Sequence, residues 1–530
     1  MSSTHDTHDQ PAGSVTFVGA GPGDEDLLTL RGAKVLAEAD AAVCDRLAGG
    51  QFLTHCGPGV EVHDAADLDH AARQRLVIDL ASAGKRVVRL LNGDPALFGG
   101  VAEDAEACAR AGISFEIVPG VSSAVAVPTY AGIPLTSRKA GEVRVVDAHE
   151  GAVDWESVGA GRATLVILSA VGSMGEVAKA LVEAGRPGET PVAMTRDGTT
   201  TAQTTVVSTL AEVAAGAKAA HMEPPAVAVV GDVVRLRETL SWFETKPLFG
   251  WRVLVPRTKE QAGPVCDRLR GYGALPDEVP TISVEPPRTP QQLERAIKGL
   301  VTGRYQWVAF TSANAVRAVR ERLEEYGLDA RAFAGVKVAA VGEQTAAAVL
   351  AFGVKPDLMP AGQHSSEGLL EVWPPHDKLL DPIDRVFLPR ADIATETLVA
   401  GLHDLGWEVD DITAYRTVRA APPPAQVREA IKGGSFDAVL FTSSSTVRNL
   451  VGIAGKPHAT TVVAAIGPKT AKTAEEFGLR VDVVAPKASA FALAAALAEY
   501  GAERRLTSVE AGQPVRRPSQ MRRGSRKKAK

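Results

Sequence analysis

Apolar residues fall along most of this chain in two recurring patterns. Short continuous runs are bounded by Gly, Pro, Asp or Ser, and longer stretches with helical spacing lie between them. The short runs include Val15-Thr16-Phe17-Val18, Val87-Val88-Arg89-Leu90-Leu91, Phe115-Glu116-Ile117-Val118, the residues from Thr164 to Leu168, and Ala226-Val227-Ala228-Val229-Val230. Each reads as a strand, and the first leads into a helix from about residue 27 to 38. In the second half the order is strand, helix, strand, helix, with helices near Lys259 to Gly271, Gln291 to Leu300 and Ala313 to Tyr326. This alternation predicts an α/β protein built on parallel sheets. Proline-rich breaks at Glu285-Pro286-Pro287 and Ala421-Pro422-Pro423-Pro424 punctuate the second half. The aromatic segment from Trp242 to Gly250 closes the first, and its rings are expected to pack at the junction.

The second half says the same thing twice. Val308-Ala309-Phe310-Thr311-Ser312-Ala313-Asn314-Ala315-Val316 is echoed by Val439-Leu440-Phe441-Thr442-Ser443-Ser444-Ser445-Thr446-Val447. Val255-Pro256-Arg257 returns as Leu388-Pro389-Arg390, and Val341-Gly342-Glu343-Gln344-Thr345-Ala346 as Ile466-Gly467-Pro468-Lys469-Thr470-Ala471. Taken at Arg257, Thr311 and Gly342, the echoes lie 133, 131 and 125 residues downstream. Three landmarks in one order at near-constant spacing mark a duplicated α/β unit, and two copies are too few for a solenoid. A simple tandem would divide near residue 378. Thr311, Ser312, Thr442 and Ser443 fall at helix N-termini, where hydroxyls cap the helix and free N–H groups accept anions. A cleft lined by these loops is rich in hydroxyls and amides and poor in His, Cys and paired carboxylates, so it lacks the means for nucleophilic or metal catalysis.

Charge and composition narrow the picture. The 530 residues carry a net charge of −5, with 45% hydrophobic and 23% charged side chains, ordinary for a soluble globular protein. Residues 516–530 hold eight basic side chains and no acid; setting these aside leaves −13 on the rest. That end reads as a basic disordered tail from 503 to 530, and nucleic acid is not its expected partner. An acidic body must hold an anionic substrate by local donors. No apolar run is long enough to span a bilayer, and the polar N-terminal tail, residues 1–13, has no signal-peptide core, so a cytoplasmic protein is expected. Cys44, Cys56, Cys108 and Cys266 show no Cys-x-x-Cys spacing, which speaks against a disulfide framework and a zinc site.

The first strand ends in Gly19-Ala20-Gly21-Pro22-Gly23-Asp24. As a nucleotide-phosphate loop it fails twice: the glycine spacing is wrong, and Pro22 removes a backbone donor. A ligand without phosphates fits better. Further loops follow later strands at Asn92-Gly93-Asp94-Pro95, Pro119-Gly120-Val121-Ser122-Ser123 and Asp197-Gly198-Thr199-Thr200, at the carboxyl ends where an open α/β sheet places its site.

With Asp26-Leu27-Leu28-Thr29 and Ala131-Gly132-Ile133-Pro134-Leu135-Thr136, this ordered set resembles the tetrapyrrole methyltransferases, above all uroporphyrinogen-III C-methyltransferase, over residues 14–245. The resemblance implies a two-lobed fold with S-adenosyl-L-methionine between the lobes. Pro22, Asn92, Gly93, Asp94, Ser122, Ser123, Ser169, Gly198 and Ala226 then fall at cofactor-binding positions. It leaves room for a homodimeric first half. Glu103 is the expected proton-handling group, and Arg46 and Arg138 the expected holders of substrate carboxylates. The chain departs from the family pattern where a Phe-Gly-Arg segment reads Phe98-Gly99-Gly100, where the turn before Asp94 reads Asn92-Gly93, and where Ser169 replaces a methionine. The lost guanidinium points to a domain that binds the cofactor and methylates weakly or not at all.

The duplicated half, residues 250–502, resembles uroporphyrinogen-III synthase, with Ala414-Tyr415-Arg416-Thr417 joining the echoed motifs as its signature. The resemblance implies cofactor-free closure of hydroxymethylbilane with inversion of ring D. It gives a catalytic role to Tyr415, with Thr345 and Thr470 as cleft threonines and Arg257 and Arg390 as carboxylate holders or, equally, members of hinge ion pairs. It also implies an exchanged layout in place of the tandem: one lobe from about 250–282 and 416–502, the other from about 283–415. The expected protein is a synthase fused to a methyltransferase-like domain, acting on linear and cyclic tetrapyrroles beside a hydroxymethylbilane synthase. The alternatives are a fully bifunctional enzyme making precorrin-2 and a synthase carrying a non-catalytic cofactor-sensing module.

Overall fold

The structure is a computed structural model that describes residues 13–45, 52–148, 153–257 and 259–521. Four five-stranded sheets organise it. They divide between two compact units: Met1–Trp251 with Leu269–Leu275 and Ala498–Val515, and Arg252–Arg268 with Pro276–Leu497 and Arg516–Lys530. No helix among the described residues is long and apolar enough to cross a membrane.

The first sheet holds β1 (Ser14–Gly19), β2 (Ala41–Cys44), β3 (Glu61–Asp64), β4 (Arg86–Leu91) and β5 (Ser114–Val118) in the order β3-β2-β4-β1-β5, all parallel. Its central strands are buried almost throughout, as a parallel sheet covered on both faces requires, and cores around Phe17 and around Phe52 fill the two sides. The second sheet holds β6 (Val143–Asp147), β7 (Thr164–Leu168), β8 (Pro191–Arg196), β9 (Thr204–Thr209) and β10 (Ala226–Val230). Here the order is β6-β7-β10-β8-β9, and only β6 and β7 run parallel.

The helix expected over 27–38 is broken in two. Asp24 caps a 3-10 turn, Glu25–Leu27, by accepting from Asp26 N, and Thr29 starts a fresh helix, Leu30–Ala37, by accepting from Gly32 N. The aromatics of the 242–250 segment pack within the first unit: Trp242 and Phe243 lie against Tyr130, and Phe249 against Phe243.

The second unit carries the duplication as two sheets. One contains β11 (Arg252–Val255), β12 (Leu275–Glu278), β18 (Ala438–Phe441), β19 (Val462–Ala465) and β20 (Val483–Val484), ordered β12-β11-β18-β19-β20. The other contains β13 (Ile282–Glu285), β14 (Trp307–Phe310), β15 (Lys337–Ala340), β16 (Arg385–Ala391) and β17 (Glu408–Arg419), ordered β13-β17-β16-β14-β15. The chain therefore leaves the first sheet after β12, builds all of the second, and returns through β17. β13 pairs antiparallel with β17, from Ile282 opposite Arg419 to Glu285 opposite Arg416, so residues 416–419 belong to the inserted sheet.

The copies agree in backbone detail. Val341 N donates to Phe310 O at 3.1 Å, and Ile466 N to Phe441 O at 2.9 Å. Asp357 accepts from Val338 N, and Asp482 from Val463 N, in the same arrangement 125 residues later.

Two further expectations change. Residues 503–510, expected in a disordered tail, continue the helix Ala490–Glu510. Its Leu493, Ala494 and Leu497 are buried, which carries the helix forward, and Arg505 donates to Glu244 O at 3.2 Å. Arg390, expected either to hold a substrate carboxylate or to sit in an ion pair, is buried and spent on internal ion pairs. Its Nε donates to Asp411 Oδ1 at 2.5 Å and its Nη2 to Glu396 Oε1 at 2.9 Å, with further bonds to Asp411 Oδ2 and the Thr395 carbonyl. Replacing Arg390 with Met strands Asp411 beside an apolar group. Because a third of the Asp411 side chain stays in water, the expected loss is about 2–3 kcal/mol. Urea unfolding followed by fluorescence, with Trp307, Trp373 and Trp407 as reporters in the same lobe, measures it.

Candidate active sites

In the first unit the strand-end loops close around a cleft of about 390 Å³, within the roughly 300–1,000 Å³ usual for small-molecule sites. Backbone bonds build its rim: Gly21 and Gly93 exchange N–H···O bonds at 3.2 and 2.9 Å, both at positive φ. A Cβ on Gly120 would stand 2.1 Å from the Gly93 carbonyl, so that close approach requires glycine. Of the expected cofactor residues, Pro22, Asn92, Gly93, Ser123, Gly198 and Ala226 line the cleft. Asp94, Ser122 and Ser169 are not among its lining residues. Asp94 ties two loops together by accepting from Ala96 N at 2.8 Å and Gly120 N at 2.9 Å. Ser122 caps the helix Ser123–Tyr130, and Ser169 turns the chain after β7 at φ +58.

Sequence reasoning missed the apolar wall, Val127, Leu168 and Val227, and the polar Thr195, and it named Asp197 only as part of a strand-end loop. The apolar three belong to hydrophobic runs that carry no ligand signal of their own. It also missed what holds the Asp197–Thr200 loop, where Asp197 and Thr199 both adopt positive φ, a state that aspartate tolerates but that is an outlier for the β-branched Thr199. Gln203 Oε1 accepts from Thr199 N at 2.8 Å, while Thr199 Oγ1 accepts from Asp24 N at 3.1 Å. Gln203 is fixed in turn by Glu244, whose carboxylate also accepts from Thr205 and Arg237, each at 2.6 Å. Tyr130 donates to Asp24 at 3.0 Å; burial, then the Asp24 charge, raises its phenol above the ordinary range.

Glu103 is exposed in the first turn of the helix Val101–Arg110, and Arg138 is exposed near the Ser137–Ala140 bridge. Arg46 lies outside the described residues. Gly100 is the N-cap of the Val101–Arg110 helix at φ +69, and a Cβ there meets nothing within 4 Å.

In the second unit Ser312 and Ser443 are N-caps, accepting from Ala315 N and Thr446 N at 3.1 and 3.2 Å. Thr311 and Thr442 precede them, half-buried. The structure brings two expected residues together: Tyr415 Oη and Ser312 Oγ are 2.9 Å apart. A register shift between Arg390 and Ala391 makes this contact possible. Thr413 faces Arg390 and Tyr415 faces Ala391, with Ala414 bulged between them. Ala414 and Tyr415 therefore line a pocket against the helix Ala313–Glu325, while Thr413 and Arg416 line a different one. Ser443 and Thr442 stand on a loop of the other sheet, and Thr470 in the helix Pro468–Glu476 that follows its strand Val462–Ala465. Thr345 and Thr470 occupy the third position of their helices and are 6% and 4% exposed, about as buried as Tyr415 at 7%. Arg257 follows β11 half-buried, and burial lowers its guanidinium pKa.

The loops thus build a small-molecule cleft on one α/β unit and a hydroxyl-bearing strand-end site on a duplicated one. The comparisons give both a class. Residues 14–214 match the family model for tetrapyrrole (corrin/porphyrin) methylases, and residues 265–495 match that for uroporphyrinogen-III synthase HemD. The chain is a fusion of these two enzyme domains. A porphyrin biosynthesis protein HemD of Ruminiclostridium josui is 33% identical over 92% of this chain and 98% of its own. This chain belongs to that family. A uroporphyrinogen-III C-methyltransferase of Bacillus subtilis is 35% identical over 63% of this chain and 70% of its own. A siroheme synthase of Azotobacter vinelandii is 41% identical over 44% of this chain, which spans about half (52%) of that relative's length. Among solved structures, a uroporphyrin-III C-methyltransferase of Thermus thermophilus complexed with S-adenosyl homocysteine is 35% identical, matching 42% of this chain and 100% of its own at a TM-score of 0.39.

The Glu244–Gln203–Thr199 chain gives a direct test of loop strain. Gln203→Leu leaves the Thr199 N–H without its acceptor, at a cost of about 1–3 kcal/mol, so amide exchange at residues 197–200 should accelerate by about tenfold or more. Hydrogen-exchange mass spectrometry reads this directly.

Proposed function

We propose that the second unit closes hydroxymethylbilane into uroporphyrinogen III with inversion of ring D, and that the first holds S-adenosylmethionine but passes methyl groups only slowly to the product. The observation that carries the synthase reading is the Tyr415–Ser312 hydroxyl pair beside a helix N-terminus. When Ser312 donates to the phenol oxygen, the Tyr415 O–H is free to reach the departing hydroxyl of the bilane. That group leaves as water, and the azafulvene left behind is reactive enough to cyclise unaided to the unrearranged isomer. The enzyme's work is therefore mainly conformational: it folds the chain and restricts the approach of the last ring. Thr311, Thr442, Ser443 and Arg257 supply donors for substrate carboxylates in this reading, while the Ser312 hydroxyl is committed to Tyr415.

The first cleft fits S-adenosylmethionine in chemistry. Its glycine rim permits backbone contact, Val127, Leu168 and Val227 offer an apolar wall, and Asn92, Ser123 and Thr195 offer polar groups without a phosphate cradle. The sulfonium, when bound, supplies an already electrophilic methyl group, so the protein's task is alignment. Slow methylation rests on Gly100, where a substrate-facing guanidinium is missing; losing such a contact costs about 1.5–3 kcal/mol, or roughly ten- to a hundredfold in rate.

Given hydroxymethylbilane and S-adenosylmethionine, the full-length protein should release mainly unmethylated type III uroporphyrinogen, identified by isomer and mass. Rapid accumulation of a dimethylated product would instead establish the bifunctional reading. Tyr415→Phe should lower kcat by about a hundredfold with little change in KM, and raise the share of unrearranged isomer. Unchanged kcat would remove Tyr415 from the chemistry. Gly100→Arg should raise the methylation rate at least about tenfold. Its left-handed backbone costs roughly 1–2 kcal/mol of stability, readable as a lower Tm.

A further inference from the structure

On the far side of the bulge from Tyr415 lies a second pocket, of about 280 Å³, that none of the roles above uses. Arg288, Thr289, Gln292, Asp392, Thr413 and Arg416 line it, at the edge where β16 ends and the chain has just entered the inserted lobe. Its polar groups are largely unspent. Arg416 gives Nη2 to Glu285 at 2.7 Å and Nε to the Pro286 carbonyl at 3.2 Å, leaving Nη1 available. Arg288 is exposed and makes no ion pair among the described residues. Thr289 precedes the helix Pro290–Val301 without using its hydroxyl as a cap. Asp392 commits one carboxylate oxygen, accepting from Thr417 N at 3.2 Å, and keeps the other.

This donor set is selective. A simple anion would meet two guanidinium groups but also the Asp392 carboxylate, which repels it. A cation would meet the reverse. A pyrrole carrying acetate and propionate side chains answers all three charges at once: its ring N–H is a donor for a carboxylate, and its two acids each suit a guanidinium. We propose that this pocket seats one pyrrole ring of the substrate, with Asp392 accepting the ring N–H and Arg288 and Arg416 holding its two carboxylates. Thr413 and Arg416 belong to the same strand as Tyr415, so a ring held here is anchored through β17 to the strand that carries the proposed acid. The proposal rests on the synthase reading for its substrate and deepens it by assigning a ring subsite.

Arg288 serves as the first probe, because an exposed side chain without an ion-pair partner among the described residues can be removed without unfolding the lobe. Calorimetry on the full-length protein would compare a monopyrrole bearing one acetate and one propionate, its N-methyl derivative, and inorganic phosphate. The monopyrrole should bind the wild type, bind Arg288→Ala and Asp392→Asn at least about tenfold more weakly, and lose most of its affinity on N-methylation; phosphate should not displace it. With hydroxymethylbilane, Arg288→Ala should raise KM by a similar factor at nearly constant kcat. Equal affinity of wild type and Arg288→Ala, or displacement by phosphate, would overturn the subsite. Failure of the synthase reading has a separate signature: a wild type that does not cyclise the bilane although the monopyrrole still binds through Arg288 and Asp392.

Discussion

β17 bonds on one edge to the parallel β16 and on the other to the antiparallel β13, and this double ladder is what allows the inserted lobe to exist. Without it the chain would have no closed sheet to complete between leaving β12 and re-entering at β18. The crossing is anchored nearby: Ala420 N donates to Thr281 O at 3.2 Å, and Thr281 donates to Pro256 O at 3.3 Å, so outgoing and returning strands are tied where they pass. Proline-rich segments next to both crossings supply few backbone donors and do not compete for the ladder.

The consequence for chemistry is that function concentrates on the strand that also holds the lobe together. Tyr415 reaches Ser312 on one face, and Arg416 pairs with Glu285 across the antiparallel ladder on the other. The first unit solves its problem differently. There the ligand loop at 197–200 is held in a strained backbone by side chains from beyond it, Gln203 and Glu244, so order is imported from outside the cleft. One unit thus positions its groups by strand pairing and the other by a side-chain relay.

Much of this was legible in residues alone, because repetition and strand-end glycines are local signals. The duplication, the parallel core strands and the strand-end loops that line the cleft followed from them, while the nine expected cofactor positions came from the family resemblance, and six of these line the cleft. What escaped was long-range. The fate of Arg390 depends on Asp411, twenty-one positions away on a neighbouring strand, and nothing near Arg390 marks that partner. The antiparallel β13–β17 pairing joins segments more than a hundred residues apart, and the helical course of residues 503–510 depends on the earlier turns of the same helix. Thr345, Thr470 and Tyr415 are all buried, and nothing in their motifs marks how far packing covers each of them.

The bulge at Ala414 sets the parity of everything that follows it in β17. In an uninterrupted strand Thr413 and Tyr415 would share a face; one inserted residue puts them on opposite faces. Loss of the single codon for Ala414 would therefore leave Tyr415 and all that follows it on their present faces, because Thr413 and Tyr415, made adjacent, point opposite ways in a regular strand. The bulge is spare length: one residue that β17 can lose while each side chain beyond it keeps its side of the sheet.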